Sequence, residues 1–216
     1  MALYIVSTPI GNIEDITLRA LNTLKSVRLI MCEDTRRTKI LLKHYNIETE
    51  TSSYNDNNCR TKTKHVIDIL KQDDVAIVSD SGTPGISDPG FYLVRECVKE
   101  NIQIIPIPGP TASITALISS GLPTDRFTFL GFIPKTQGKK EKFLKELPDH
   151  TVIFYESPYR IKKTLALMKE ILPDKQLVIA RELTKKFEEF IRGTVKDIYE
   201  KTKDKQLKGE IVLIVN

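Results

Sequence analysis

Apolar residues along the first half of the chain fall into short, unbroken runs. Leu3-Tyr4-Ile5-Val6, Arg28-Leu29-Ile30-Met31-Cys32, Val75-Ala76-Ile77-Val78 and residues 102–107 read as strands. Runs this rich in β-branched side chains, without polar alternation, suit strands buried on both faces of a parallel sheet. Between them the apolar positions recur at helical spacing. Ile16, Leu21, Leu24 and Val27 share one face, Ile40 to Leu42 lie within a helix expected over Thr35–His44, and Val66, Ile67, Ile69 and Leu70 mark another. Asp15 is the expected cap of the first helix, and Asp88-Pro89 the expected opening of a helix through Phe91, Leu93, Val94 and Val98. The βαβα order predicts an α/β domain.

The second half is patterned differently. A helix of small and aliphatic residues is predicted at 112–119, and Gly121-Leu122-Pro123-Thr124-Asp125 reads as a linker. That places a domain boundary near residue 120, with one domain over 1–120 and another over 121–216. Strands are predicted at 127–132, 151–155, 176–180, 187–193 and 210–215, and helices from 160 to about 172 and over 195–203. This mixed order predicts an α+β domain.

With 40% hydrophobic and 28% charged residues, the chain of 216 is globular in composition rather than disordered. No apolar run approaches the roughly 20 residues that span a bilayer, and Met1-Ala2-Leu3-Tyr4 enters a strand without a signal-like segment. A cytoplasmic protein is expected. Cys32, Cys59 and Cys97 are odd in number and widely spaced, which fits reduced thiols, and His44, His65 and His150 form no ligand pair, so no metal is expected. The net charge of +5 is uneven: residues 1–110 carry 13 Lys/Arg against 14 Asp/Glu, and residues 111–216 carry 20 against 14. An anionic partner contacting the second half would account for that excess.

The densest chemistry follows the central run. Ser79-Asp80-Ser81-Gly82-Thr83-Pro84-Gly85-Ile86-Ser87-Asp88-Pro89-Gly90 is longer than the 2–6 residues an ordinary βα turn needs, and it is built from residues that expose backbone. Gly85 admits a positive φ and the close approach of a ligand. The first strand ends in Ser7-Thr8-Pro9-Ile10-Gly11-Asn12, which is neither a Rossmann fingerprint nor a P-loop. Its hydroxyls suit a polar ligand and plain turn chemistry equally. The second strand ends in Glu33-Asp34-Thr35-Arg36-Arg37, two acids and two arginines facing the same crevice. Asp34 also suits a helix cap, but adjacent arginines in a first turn oppose the helix dipole unless they answer an external anion. Lys135, Lys139, Lys140, Lys142 and Lys145 form either a solvated helix start or a phosphate-binding arm.

Taken in order, these segments resemble the tetrapyrrole (corrin/porphyrin) methylase superfamily, and within it the ribosomal RNA branch. The resemblance continues through Pro108-Gly109-Pro110-Thr111-Ala112, Glu156-Ser157-Pro158, Ala180-Arg181-Glu182-Leu183-Thr184 and Lys208-Gly209-Glu210. Family members usually continue beyond this last strand, whereas the present sequence ends at Asn216. The resemblance implies a two-domain tetrapyrrole-methylase-like fold, with a parallel-sheet α/β N-terminal domain and a mixed-sheet α+β C-terminal one. It further implies a homodimer that uses S-adenosyl-L-methionine to methylate a cytidine 2′-hydroxyl in small-subunit ribosomal RNA. Ser81, Gly82, Thr83, Pro84, Gly85, Ile86 and Ser87, with Pro108, Gly109, Thr111 and Ala112, would line the cofactor, joined by Tyr155 and Ala180. Glu33, Asp34 and Asp15 are the candidate bases. Arg36, Arg37, Arg181, Lys139 and Lys140 are the candidate RNA contacts. Two alternatives are a methylase of an anionic tetrapyrrole or other small substrate, and a non-catalytic RNA-binding module.

Overall fold

Val75–Val78 (β4) is the middle strand of a five-stranded parallel sheet in the computed structural model, which describes all residues from Met1 to Asn216. The other strands are Ala2–Val6 (β1), Leu29–Cys32 (β2), Thr51–Ser53 (β3) and Gln103–Ile107 (β5), in the order β3-β2-β4-β1-β5. Four helices connect them: Leu18–Ser26 (α1), Thr35–His44 (α2), Cys59–Leu70 (α3) and Phe91–Lys99 (α4). Strand alternation sorts the core into two layers. Val6, Ile30, Cys32, Ala76 and Val78 pack against Leu24 of α1 and Leu41 and Leu42 of α2. Leu3, Leu29, Met31, Val75 and Ile77 pack against Val66 and Leu70 of α3 and Leu93 and Cys97 of α4. Burial on both faces explains why these strands are unbroken apolar runs. The neighbours β1 and β4 therefore send their following helices to opposite faces, and a crevice opens between their carboxyl ends.

Two helix starts differ from expectation. Thr17, not Asp15, caps α1, its hydroxyl accepting from the Ala20 N–H at 3.1 Å. Asp15 instead ends a 3₁₀ turn, Ile13–Asp15, that Asn12 caps. At α4 the capping position belongs to Gly90, with φ +147°, so Asp88 and Pro89 lie ahead of the helix. A Cβ on Gly90 would lie 3.3 Å from the Gly85 nitrogen, so the loop folds back on itself before the helix can begin.

The chain divides into two compact units, Met1–Thr111 and Ala112–Asn216. The second comprises Ala112–Ile118 (α5), Phe127–Phe132 (β6), Gln137–Lys145 (α6), Thr151–Glu156 (β7), Ile161–Ile171 (α7), Gln176–Arg181 (β8), Glu189–Thr194 (β9), Val195–Thr202 (α8) and Ile211–Val215 (β10). Its sheet runs β6-β7-β10-β8-β9, parallel only between β6 and β7. One face buries Val152, Phe154, Leu177, Ile179, Leu213 and Val215 beneath Leu144, Leu165, Met168 and Ile198 of the helices. The division falls before α5 rather than near residue 120. The reason is that α5 packs on β7 and β10, and Arg192 of β9 donates to the Ser119 and Ser120 carbonyls at its end.

Because one hydroxyl caps α1, Thr17→Ala should lower unfolding free energy by about 1 kcal/mol in urea titration. Asp15→Asn leaves that cap intact and should cause no comparable loss.

Candidate active site

The loops at the carboxyl ends of β1, β4 and β5 are bonded to one another. Thr8 and Gly82 exchange backbone hydrogen bonds, Thr8 N–H to Gly82 O at 2.8 Å and Gly82 N–H to Thr8 O at 3.1 Å. The buried Thr8 hydroxyl donates to Ser79 O at 3.1 Å, and the Ser79 hydroxyl to Gly82 O at 3.1 Å. Thr83 joins all three loops: its Oγ1 lies 2.9 Å from Ser7 Oγ, 3.1 Å from Pro110 O and 2.7 Å from Thr111 Oγ1. A hydroxyl has one proton and two lone pairs, so Thr83 donates to the Pro110 carbonyl and accepts from Ser7 and Thr111. The hydroxyls of Ser7 and Thr8 thus hold the loops together.

What these loops leave open is backbone. Gly82 and Pro84 are buried and Ser81 is half-buried, while Gly85, Ile86 and Ser87 are exposed at the crest. Gly85 has φ +84°, and a Cβ built there meets nothing within 4 Å. Gly109 plays a different part. A Cβ on it would lie 2.8 Å from Ser7 Cβ, so glycine here lets the β5 loop close on the β1 loop.

At the end of β2 the carboxylates take separate roles. Asp34 caps α2, accepting from Arg36 N–H at 2.9 Å, and holds the Arg36 guanidinium at 3.0 and 2.7 Å. Those bonds pull its carboxyl down to about 2. Asp80 accepts from the Asp34 N–H at 3.0 Å and lies 3.6 Å from Arg37 Nε. Glu33 goes the other way. Partial burial raises its pKa, the Asp80 and Asp56 carboxylates add to the effect, and Arg37 opposes it. Asp15 has a buried Oδ2 without a hydrogen-bond partner. No three His, Cys, Asp or Glu side chains gather as a metal-binding group.

In the second unit, Tyr155 of β7 and Ala180 of β8 both pair with Val212 of β10, which sets them in one row across the sheet. Tyr155 meets Phe129 and Phe132 edge-on, with centroids 4.9 and 5.4 Å apart. Ala180 is fully buried, and Ala112 begins α5. Two candidate RNA contacts are occupied within the fold. Lys140, only 6% exposed, donates to Thr164 Oγ1 at 2.7 Å and lies 3.6 Å from Glu156 Oε2. Burial lowers its pKa against the opposing pull of Glu156. Arg181 is half-buried, bonded to Glu189 Oε2 at 2.7 Å and to Lys208 O at 3.0 Å. Lys139 is exposed, and so are Arg36 and Arg37.

A profile of the Tetrapyrrole (Corrin/Porphyrin) Methylases matches residues 2–199. The chain belongs to this methylase family. It is 54% identical to "Ribosomal RNA small subunit methyltransferase I" of Hydrogenobaculum sp., over 100% of this chain and 96% of that one. Proteins of the same name from Bacillus subtilis and Thermotoga maritima are 46% and 44% identical over 99% of this chain, covering 74% and 97% of their own lengths. Among solved structures, uroporphyrin-III-C-methyltransferase from Thermus thermophilus aligns with a TM-score of 0.70 over 100% of this chain and 94% of that one. At 19% identity this likeness shows the fold alone.

For a methylase, the expected cofactor residues form two groups, each held within its own unit. Sequence reasoning did not single out Asp80, although it stands directly after the central strand. The pairing Cys32↔Val78 carries Asp34 and Asp80 to matching places beyond neighbouring strands, and only that register reveals their bond.

The two glycines predict different failures. Gly85→Ala should keep the fold, at a strain of about 1–2 kcal/mol for its left-handed backbone, and should weaken methyl-donor binding measured by calorimetry. Gly109→Ala should separate the β1 and β5 loops and lower the melting temperature as well.

Proposed function

We propose that this methylase transfers the methyl group of S-adenosylmethionine to small-subunit ribosomal RNA, at the ribose 2′-hydroxyl of a cytidine. The reading is carried by identities of 44–54% over nearly the whole chain to proteins named for small-subunit ribosomal RNA methylation. The open backbone at Gly85, with nothing within 4 Å of its missing Cβ, suits a close-fitting ligand, and the exposed backbone of Gly85 to Ser87 would help hold it. When bound, the cofactor supplies an electrophilic methyl group on a sulfonium.

The chain's own residues then have to orient the nucleophile and take its proton. A ribose hydroxyl is a poor nucleophile and gains from a carboxylate placed to accept that proton. Of the three candidates, Asp34 is pulled down to about 2 and is bound to Arg36, which makes it a weak base. Glu33 is the stronger base, because its raised pKa reflects burial and neighbouring negative charge. Arg36 and Arg37 extend into solvent beside it and suit flanking phosphates. We assign the working form as a cytoplasmic homodimer. Exposed Ile114 and Ile118 on α5 and Phe127 on β6 support association, and no helix is long and apolar enough to cross a membrane.

Radiolabelled methyl transfer should label small ribosomal subunits or their RNA, and nucleoside digestion should recover 2′-O-methylcytidine. Label entering a tetrapyrrole instead would overturn this substrate.

Glu33→Gln should slow single-turnover methylation by about 10²–10⁴-fold with cofactor affinity retained. The raised pKa also has a stability consequence. Protonated Glu33 suits the folded state, so its contribution is fully present below the ordinary value of 4.5 and is lost as pH rises through the raised one. Glu33→Gln should therefore melt above the wild type at neutral pH, with the difference vanishing in acid. Equal melting temperatures at both pH values would contradict that balance.

A further inference from the structure

The second unit holds two exposed aromatic rings on a tightly braced support. Tyr159 is 94% exposed and Phe132 is 55% exposed. Phe132 ends β6, and Tyr159 lies just beyond the end of β7, the parallel neighbour of β6. Glu156, 2% exposed, accepts from the Ser157 N–H and from Arg160 Nη2, both at 2.6 Å. Its second oxygen accepts from Thr164, which in turn accepts from Lys140. The N–H groups of Arg160 and Ile161 close onto the Ser157 carbonyl at 2.9 and 3.0 Å, and Ser157 Oγ accepts from the Tyr159 N–H at 3.3 Å. Arg160 Nη1 also donates to Ile133 O at 3.3 Å. Each ring is therefore one residue away from the same hydrogen bond.

A single exposed aromatic ring is unremarkable on a protein surface. Here a network of buried Lys140 and Glu156 with half-buried Arg160 fixes the backbone that presents both. Lys135, Lys139 and Lys163 are exposed, Lys135 three residues after Phe132 and Lys163 four residues after Tyr159. Exposed rings on a braced backbone, in segments that also carry exposed lysines, match the chemistry of single-stranded nucleic acid, in which bases stack on aromatics and phosphates meet lysines. Paired bases keep their faces within the helix stack and offer little to such rings.

We infer that Tyr159 and Phe132 form a platform on which unpaired bases of the RNA substrate stack, a role that rests on the proposed RNA substrate. The test uses the full chain, a fluorescent single-stranded RNA roughly 12 nucleotides long, and its duplex form. Tyr159→Ala and Phe132→Ala should each weaken single-strand binding about tenfold. The salt dependence should stay the same, because stacking releases no counterions. Tyr159→Phe should restore affinity, and cofactor binding should not move in the Tyr159 variants. Lys139→Ala combined with Lys163→Ala should instead flatten the salt dependence. Wild-type affinity in both alanine variants, alongside intact methylation of ribosomal subunits by the wild type, would overturn the platform alone. An altered oligomeric mass with RNA affinity retained would also overturn it, by assigning the rings to a protein contact. A wild type that neither binds nor methylates RNA would overturn both readings.

Discussion

Thr8 and Gly82 join the loops beyond β1 and β4 through an isolated antiparallel bridge, and the rest of the first unit's site depends on that link. Parallel strands that send their helices to opposite faces leave a crevice, and unrestrained loops would fill it by collapse or drift out of it. The two-way backbone bond prevents both, and the Thr83 hydroxyl extends the constraint to the β5 loop through Pro110 and Thr111. Small side chains are needed throughout because the loops approach at backbone distance, most tightly where Gly109 lies on Ser7. With hydrophobic layers on both faces of the sheet holding the strand ends in place, the crest at Gly85 to Ser87 is left exposed.

The same geometry separates the acids. Asp34 and Asp80 are both tied to backbone and arginine, and the bonds to Arg36 hold the Asp34 carboxyl well below its usual range. Glu33 is partly buried beside these acids and is pushed toward the neutral form. A carboxylate made a better proton acceptor in this way costs folding stability at neutral pH, a common cost of functional sites. Burial is the largest cause of its shift, and the neighbouring carboxylates add to it.

In the second unit buried charge serves a different end. Buried Lys140 and Glu156 and half-buried Arg160 form an ion-paired group at the end of β7. Desolvating ionised side chains is costly, and well-packed apolar residues often do as well for stability. What the network supplies is position: it fixes the turn after β7 and ties it to the end of β6. A second lock joins the ends of β8 and β10, where Lys185 bridges Glu182 and Glu210 and a Cβ on Gly209 would run into the Glu182 side chain.

The unbroken apolar runs at β1, β2 and β4 could be read as a parallel sheet because they are short, rich in β-branched residues and separated by helical patterns, as burial on both faces requires. The glycine and proline content of residues 79–90 likewise marked exposed backbone, since few other residues tolerate such geometry. The cap of α2 at Asp34 was one of two local readings, and the fold selected it. Long-range placement was not legible. Nothing in the lysine-rich stretch distinguishes Lys139 from Lys140, yet one helix position is exposed and the next faces Glu156 and Thr164, 16 and 24 residues away in the chain. Asp80 and Asp34 meet only through the register of β2 on β4, and α5 joins the second unit only because β7 and β10 offer it a surface. Sequence determines local conformation through steric limits and hydrophobic period. Which charge is buried, which carboxylate is raised and which aromatic ring stays in solvent depend on neighbours distant along the chain, and only the tertiary structure decided them.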